Sequence, residues 1–551
     1  MRLLLLAAIL AGSVGTAPVS AGTSAAAPSI LAKVYFSTED QLNSLAAQLD
    51  VWEVYRDAGY VLALMPPAQV DSLRAAGWRV EAGQPPSVPA PAAPQTSGIP
   101  GFPCYRTLAE TYSAMQTLAA QYPTLAQMLT IGPTWEKVTS GGSGGNDIQG
   151  LKITSSARPG PKPVFFLMAE IHARELTTGE TALRFAEYLL KNYGVDPDVT
   201  WLLDEFEIQI VPMTNPDGRL MVEANLGSYW RKNTDNANGC ASALYYGTDL
   251  NRNFSFNWDS GGSSADPCDE TYMGPSAASE PEVQALQNYL DALFPGGSAP
   301  TGANPAPADT AGLLITLHSY ASLVLWPNGY SPLPAPNATQ LQTLGRKLAY
   351  FNDYVPEQSF DLYQTSGSTD DWLYGTHGIA SYTFEMGTDF YQDCSEFETT
   401  IWSQNRDALL YAFKSVRRPY QTPAGPDILS ISAPSAPVAA GYTVTFSASA
   451  DATRSSTING SEPQHILQAA RASLDTPSWE AGAAPVALTA ADGAFDSTVE
   501  SVSGTLPTAG LAPGRHTLFI EAQDSAGDWG PPSAVFIDIA RHEYWLALVK
   551  N

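Results

Sequence analysis

Short, strongly apolar segments alternate with amphipathic helical patterns between residues 99 and 420, and this alternation restricts the possible folds more than any other feature of the chain. The strand-like segments cover residues 163–168, 207–213, 313–317 and 381–385, and the helical patterns cover residues 177–192, 280–293 and 340–350. Strands that are apolar on both faces must be covered on both sides, and the intervening helices can supply that cover. We therefore expect an α/β domain with a mixed, mostly parallel sheet flanked by helices on both faces.

The segment before this domain, residues 22–83, is predicted to form a small α/β unit. Its strand-like and helical stretches alternate at residues 31–36, 38–49, 59–64 and 67–76. The next stretch, residues 84–98, is rich in Pro, Ala and Ser and has no charged residue, so it should be an extended linker. A small domain before such a linker is either a propeptide or a permanent accessory module.

The region after the α/β domain, residues 424–541, differs in character. Helical periodicity nearly disappears there, and Ser, Thr, Ala and Gly become frequent. Polar and apolar residues alternate at 442–448 (YTVTFSA) and at 516–522 (HTLFIEA), which is typical of half-buried strands. The pattern predicts a β-sandwich of immunoglobulin-like size. No cluster of reactive side chains in this region indicates a binding partner.

The N-terminus and the overall charge bear on location and partners. Residues 1–21 contain one Arg, a short apolar run and then small residues, as a secretory signal peptide does. No later segment has about 18 uninterrupted apolar residues, so we expect a secreted protein without membrane insertion. The formal net charge of the 551 residues is −27, which argues against nucleic acid as a partner.

The chain has four cysteines, and none of them forms a CxxC pair that would indicate a zinc–thiolate site. Export favours two disulfides, and four cysteines allow three pairings. Because Cys240 and Cys268 are closest in sequence, we favour the pairs Cys240–Cys268 and Cys104–Cys394.

Two histidines follow apolar strands and could share a metal ion. His172 comes just after the strand-like segment 163–168, with Glu175 three residues later, and His318 ends the segment LLITLH. Residues at i and i+3 of a turn or helix start face the same side, and strand carboxyl ends line the ligand crevice of an open α/β sheet. Two His, one Glu and an open position make a catalytic Zn²⁺ site.

Seven short motifs follow one another along this part of the chain. They are HxRE at 172–175, NPDG at 215–218, WRKN at 230–233, DLNRNF at 249–254, LHSY at 317–320, YQTSGSTDDW at 363–372 and TFE at 383–385. In kind and in order they resemble the motifs of the carboxypeptidase A/B type of zinc metallocarboxypeptidase, the M14 peptidase family. The resemblance implies a carboxypeptidase-like fold, hydrolysis of the C-terminal peptide bond, one Zn²⁺ per catalytic domain, and peptide or protein C-termini as partners.

The resemblance also implies roles for single residues. It implies a metal site formed by His172, Glu175 and His318. Glu385 matches the general base, since a carboxylate beside a zinc-bound water can take its proton. Arg231 matches the group that stabilises the developing oxyanion. Asp249 matches a carboxylate that orients His172.

Substrate contacts are implied in the same way. Asn251, Arg252 and Tyr363 match the residues that hold the terminal carboxylate of the substrate, for which a guanidinium fork is suited. Arg174 and Tyr320 match residues that assist in the binding subsites. Asp370 lies two residues before the Trp of its motif, at the base of the pocket for the last substrate side chain. An acidic residue there favours C-terminal Lys or Arg, unless Asp370 pairs with a local donor or the pocket accepts apolar ends as well.

Other functions remain open at this level. Residues 30–83 lie where relatives carry an activation segment, which suggests a zymogen whose cleft is covered until cleavage. A zinc amidase that acts on unusual peptides, such as those of cell walls, would use the same metal site. A binding or adhesion protein with a vestigial site is disfavoured, because the three metal ligands, Glu385 and Arg231 are all present.

Overall fold

The computed structural model describes residues 29–85, 88, 97–243 and 245–540. The predicted signal segment 1–21 and most of the predicted linker lie outside the described residues. Within the described part of the chain, no helix is both long enough and apolar enough to cross a membrane.

The N-terminal unit is a four-stranded antiparallel sheet with two helices. It contains β1 (Ile30–Tyr35), α1 (Glu39–Gln48), β2 (Asp50–Tyr55), β3 (Tyr60–Met65), α2 (Pro67–Ala75) and β4 (Val80–Ala82). The strand order is β2-β3-β1-β4. Helix α1 begins where the Thr38 side chain accepts a hydrogen bond from the Gln41 amide, an N-cap that satisfies one free donor of the first turn. Val34, Leu42 and Val61 are fully buried in the core of this unit.

The central domain is built on an eight-stranded sheet. Its strands are β5 (Ala126–Pro133), β6 (Asp147–Ile153), β7 (Val164–Ala169), β8 (Glu207–Val211), β9 (Leu313–His318), β10 (Leu323–Trp326), β11 (Val355–Gln358) and β12 (Ala380–Glu385). Its helices are α3 (Leu108–Gln121), α4 (Trp135–Thr139), α5 (Leu176–Asn192), α6 (Pro197–Glu205), α7 (Pro216–Ala224), α8 (Pro281–Leu293), α9 (Ala338–Asn352), α10 (Ser359–Leu362), α11 (Thr369–His377), α12 (Cys394–Glu396) and α13 (Trp402–Ser415).

The strand order β11-β10-β12-β9-β7-β8-β6-β5 confirms the expected fold class. The inner strands β12, β9, β7 and β8 are parallel, and antiparallel pairs occur on both sides of them. Strand β7 shows why the sheet needs cover on both faces. Its residues Phe165 and Leu167 belong to one buried apolar cluster, whereas Phe166 and Met168 belong to another. Alternate side chains of one strand therefore fill the core on opposite faces of the sheet.

The C-terminal region is a β-sandwich. Its strands are β13 (Asp427–Ser432), β14 (Val438–Ala439), β15 (Thr443–Asp451), β16 (Leu467–Leu474), β17 (Val486–Ala487), β18 (Thr489–Ala490), β19 (Val499–Pro507), β20 (Gly514–Asp524) and β21 (Ser533–Ala540). One sheet has the order β13-β15-β19-β18 and the other has the order β14-β21-β20-β16-β17. Phe446 and Val502 of the first sheet share a buried core with Leu518 and Ile537 of the second.

Polar contacts attach the sandwich to the central domain. Lys414 on α13 bonds to Asp198 on α6 and to Ser533 at the start of β21. Lys347 on α9 forms a buried ion pair with Asp427 at the start of β13, with an N–O distance of 3.2 Å. These contacts hold the sandwich beside helices α6, α9 and α13.

The disulfides are Cys104–Cys394 and Cys240–Cys268, the pairing that the sequence analysis favours. The first joins residues 290 positions apart and ties the start of the central domain to α12. The second closes a local loop with a sequence separation of 28.

Candidate metal centre and substrate cleft

The candidate site lies at the carboxyl ends of the parallel strands. His318 is the last residue of β9, and Glu385 is the last residue of β12 and its register partner. Strand β7 ends at Ala169 beside Leu317, so the turn that follows carries His172 to the same edge of the sheet. Glu175 is the residue before helix α5. The sheet topology thus brings together residues that are far apart in sequence.

His172, Glu175 and His318 form a compact group of possible metal ligands. The His172 Nδ1 atom lies 2.8 Å from Glu175 Oε1, and the two Nδ1 atoms of His172 and His318 are 3.1 Å apart. One ligand atom from each residue lies within 4.8 Å of the others. All three side chains are buried.

These residues fit a Zn²⁺ ion. Two tetrahedral zinc-bound nitrogens should be about 3.3 Å apart, close to the observed separation. The second carboxylate oxygen of Glu175, Oε2, lies 3.3 Å from His318 Nδ1, so the ligand atoms of all three residues face one another in a buried space. Burial acts to raise the pKa of Glu175, but the adjacent imidazoles outweigh it and lower this pKa, which favours the ionised ligand.

Asp249 connects the metal ligands to Arg231. Its Oδ1 atom lies 3.1 Å from His172 Nε2, and its Oδ2 atom accepts a hydrogen bond of 2.8 Å from Arg231 Nη2. Burial acts to raise the pKa of Asp249, but Arg231 and His172 hold it well below the usual range, so the carboxylate is ionised. An ionised carboxylate only accepts hydrogen bonds, so the proton of neutral His172 lies on Nε2 and the Nδ1 lone pair faces the ligand group.

Glu385 on β12 lies directly beside His318 on the neighbouring strand β9. Burial and the charge of Glu175 raise the pKa of Glu385 well above its usual range, while the guanidinium of Arg231 opposes the shift. A dication held by the three ligands would act in the same direction as Arg231. Glu385 therefore lies where its affinity for a proton depends on the metal, as a general base requires.

The residues matched to the carboxylate clamp lie in the same cleft. Asn251 Oδ1 accepts hydrogen bonds from the backbone N–H and the hydroxyl of Thr369. These bonds use the amide oxygen, so the amide nitrogen can donate to another group. Arg252 is buried and donates to the backbone carbonyls of Gly262 and Asn251 through Nε and Nη1. Among the described residues its Nη2 atom has no hydrogen-bond acceptor. Tyr363 lines the cavity next to these groups.

The cleft is a cavity of about 490 Å³ that contains the metal group, the clamp, Tyr320 and Asp370. Asp370 is buried and accepts a hydrogen bond of 3.2 Å from the Ser359 hydroxyl. The neighbouring Asp371 instead accepts the backbone N–H groups of Gly329 and Tyr330, a structural arrangement. Asp370 therefore has a local hydrogen-bond donor, but this donor is a neutral hydroxyl. No cationic side chain among the described residues forms an ion pair with Asp370.

The N-terminal unit covers this cleft. Asp50 at the start of β2 receives two hydrogen bonds from the guanidinium of Arg174, at 2.7 and 2.5 Å, and both side chains are buried. Trp52 packs against the rings of Tyr229 and Phe390, with centroids 4.9 and 5.0 Å away. Residues 51–58 line the cavity together with the metal group. The expected subsite residue Arg174 is thus engaged by the N-terminal unit.

Sequence reasoning missed the residues of this cover. The Asp50–Arg174 contact spans 124 sequence positions, and no local pattern marks its two ends. Glu357, which also lines the cavity, was missed as well because β11 is short and carries no alternating pattern.

Part of the chain is similar in sequence to known proteins. A family profile described as zinc carboxypeptidase matches residues 111–407. Mouse carboxypeptidase A2 is 30% identical over 292 residues, which cover 52% of this chain and 63% of the mouse protein. A zinc carboxypeptidase of Saccharothrix mutabilis subsp. capreolus is 30% identical over 295 residues, which cover 52% of this chain and 62% of that protein. The chain therefore spans less than two thirds of the length of either relative.

Two solved structures share the fold. Carboxypeptidase A from Helicoverpa armigera aligns with a TM-score of 0.56 and 24% identity, over 71% of this chain and 97% of that chain. Thrombin activatable fibrinolysis inhibitor aligns with a TM-score of 0.53 and 23% identity, over 70% of this chain and 98% of that chain.

Proposed function

Because the chain belongs to the zinc carboxypeptidase family, we propose that it is a zinc exopeptidase that hydrolyses the C-terminal peptide bond of peptides and proteins. The observation that carries the proposal is the convergence in one cleft of a His-Glu-His ligand group, Glu385, Arg231 and a buried clamp for a carboxylate. Each part alone serves many functions, but the combination suits hydrolysis next to a free C-terminus.

In this mechanism the chain supplies the base, the oxyanion donor and the orientation of the ligands. A Zn²⁺ ion bound by His172, Glu175 and His318 would polarise the scissile carbonyl and lower the pKa of a water. Glu385 takes the proton of the attacking water and passes it to the leaving amine. Arg231 donates to the oxygen on which negative charge develops.

The clamp explains why cleavage would be limited to the last residue. Arg252, Asn251 and Tyr363 line the same cavity, and their guanidinium, amide and hydroxyl groups are donors that suit a terminal carboxylate. An internal peptide bond offers no such anion, so it would leave the buried Arg252 charge unpaired. The clamp therefore converts a general hydrolytic site into one for C-termini.

A preference for C-terminal Lys or Arg is part of the proposal. Asp370 is a buried acid in the cleft without a cationic partner among the described residues, and a substrate cation would neutralise it. Asp370→Asn should lower kcat/KM for peptides ending in Lys or Arg by about tenfold or more while sparing those ending in Leu. Equal loss for all ends would mean that Asp370 acts only on the structure.

We also propose that the protein is secreted as a zymogen. The N-terminal unit engages Arg174 through Asp50 and lines the cavity, which supports a covering role. Cleavage within the linker would then open the cleft. An intact chain as active as the cleaved form would contradict this part of the proposal.

A kinetic panel tests the activity itself. The full chain is loaded with Zn²⁺, cleaved in the linker and incubated with peptides that end in Lys, Arg, Phe, Leu and Glu. Release of single C-terminal amino acids supports the proposal. A metal-replete, cleaved protein that releases no amino acid from any peptide would reject it, and release of a fragment from amidated peptides would indicate an amidase instead.

A further inference from the structure

Glu357 is a carboxylate in the substrate cleft for which the proposed mechanism has no role. It lies on β11, at the edge of the central sheet, and it lines the same cavity as Glu385 and Asp370. Among the described residues, no hydrogen bond or ion pair joins its carboxylate to another group. A partly buried carboxylate without a partner is unfavourable, so its presence at this position calls for a ligand.

Sheet register fixes which way Glu357 faces. Leu325 on β10 is the register partner of Thr383 on β12 and also of Glu357 on β11. Register partners on adjacent strands project from the same face of a sheet. Thr383, Leu325 and Glu357 therefore form a row across the cleft, about 10 Å long at the usual strand spacing. Two positions along β10, on the same face of the sheet, Leu323 pairs with Glu385, the proposed base.

Glu357 also stands close to Asp370 in the wall of the pocket. Ser359, two residues after Glu357, donates its hydroxyl to Asp370. The intervening Gln358 is extended, with φ −70° and ψ 141°, so the side chains of Glu357 and Ser359 project to the same side. The pocket thus presents one acid at its base and a second acid on its wall.

In the intact chain the guanidinium of Arg56 lies near Glu357. Arg56, in the turn between β2 and β3 of the N-terminal unit, donates to the backbone carbonyls of Asp361 and Leu362. Burial and the charge of the neighbouring Asp361 raise the pKa of Glu357 to about 7, although the charge of Arg56 opposes the shift. When the N-terminal unit departs, that cation departs with it and Glu357 is left facing the open pocket.

We propose that Glu357 is a second specificity-determining acid, which acts with Asp370 to hold the cationic end of a C-terminal Arg or Lys. The planar guanidinium of Arg can donate to two carboxylates at once, whereas the ammonium of Lys is a single compact charge. The pair should therefore favour Arg over Lys. This inference rests on the proposed carboxypeptidase activity and adds a preference within it.

The test compares four forms of the full chain, each carrying a site-specific protease sequence inserted within residues 89–96 and cleaved after folding. The forms are wild type, Glu357→Gln, Asp370→Asn and Asp309→Asn. Asp309→Asn is the control, because it removes an exposed carboxylate of the central domain that does not line the cavity. Two quantities are measured: kcat/KM for peptides ending in Arg, Lys and Leu, and the calorimetric Kd of free L-arginine and L-leucine.

Glu357→Gln should lower kcat/KM for Arg-ending peptides and weaken arginine binding by about tenfold each, the usual effect of losing one charge-assisted hydrogen bond. The loss for Lys-ending peptides should be smaller, and Leu-ending peptides and the Asp309→Asn form should change less than about twofold. An unchanged arginine Kd, an equal loss for Leu-ending peptides, or the same loss in Asp309→Asn would overturn the inference. Absence of turnover with every peptide in wild type would instead reject the proposed activity, and the arginine Kd would still test Glu357.

Discussion

His172 uses its two ring nitrogens for different purposes, and this division sets the chemistry of the site. Nε2 lies against the ionised Asp249, and Nδ1 faces Glu175 and His318. The hydrogen bond to a carboxylate fixes the tautomer and raises the basicity of the nitrogen that binds the metal. Asp249 also contacts Arg231, so one buried acid positions both a metal ligand and the oxyanion donor.

Asp249→Asn should weaken Zn²⁺ binding by about 10- to 100-fold, because the amide can still accept a hydrogen bond but no longer carries the charge that supports His172. Competition with a zinc chelator measures the affinity directly. Asp291→Asn is a matched control, since Asp291 pairs with His377 away from the metal group. Wild-type zinc affinity in Asp249→Asn would show that Asp249 does not support His172.

A site residue could be predicted where the neighbouring sequence has a recognisable pattern. His172 and His318 could be found because each follows a conspicuous apolar strand, and Glu175 because it stands at i+3 from His172. The Asp50–Arg174 pair could not be found, since its ends lie in different folding units. The same holds for Glu357, whose role depends on strand register across β10 and β12.

Strand β2 of the N-terminal unit makes the contacts that join this unit to the cleft. It carries Asp50 and Trp52 to the surface of the central domain, where a buried ion pair and tilted and edge-on ring contacts hold the unit in place. Burial acts to raise the pKa of Asp50, but Arg174 outweighs it and lowers this pKa, so the pair stays charged at neutral pH. Docking by a buried pair makes the interface sensitive to loss of either partner.

Asp50→Ala should raise the peptidase activity of the uncleaved chain, because it leaves the buried Arg174 charge unpaired, at a cost of about 3–5 kcal/mol to the docked state. The measurement is the activity of the intact chain relative to the same chain after linker cleavage. Glu81→Ala is a control within the same unit, since Glu81 forms an exposed ion pair with Arg79 and does not line the cavity. An intact Asp50→Ala chain as inactive as intact wild type would contradict the docking role of this pair.

The elements that the sequence pattern predicted are those with continuous apolar faces. The inner strands β7, β8, β9 and β12 are buried on both sides, and their apolar runs mark them clearly. The outer strands β5, β6, β10 and β11 were missed because they are partly exposed or only a few residues long. Their pairing is decided by contacts with the rest of the sheet, which local sequence does not record.

At the scale of the whole molecule, acidic groups are buried as well as exposed. Glu282 on α8 accepts the backbone N–H of Trp135 and has no cationic partner among the described residues. Burial and the charge of Glu280 together raise the pKa of Glu282 to about 8. The folded chain therefore retains a proton at neutral pH that the unfolded chain releases.

The free energy of unfolding should consequently fall as the pH rises from about 4.5 to about 8, since the folded state binds the extra proton of Glu282 over that interval. Glu282→Gln keeps the neutral form at every pH and should reduce this slope. Thermal unfolding of both forms across the interval measures it. Asp309→Asn, which alters an exposed carboxylate, should leave the slope as in wild type, and an unchanged slope in Glu282→Gln would exclude this source of pH dependence.

After cleavage, the whole molecule of N-terminal cover, central domain and metal site is proposed to act as a zinc exopeptidase with Glu385 as its base. The kcat of Glu385→Gln in the cleaved, zinc-loaded full chain tests this proposal. We expect kcat to fall about 10²- to 10⁴-fold, with one Zn²⁺ still bound per chain and the peptide affinity retained. Release of C-terminal amino acids by Glu385→Gln at the wild-type rate would show that Glu385 is not the base.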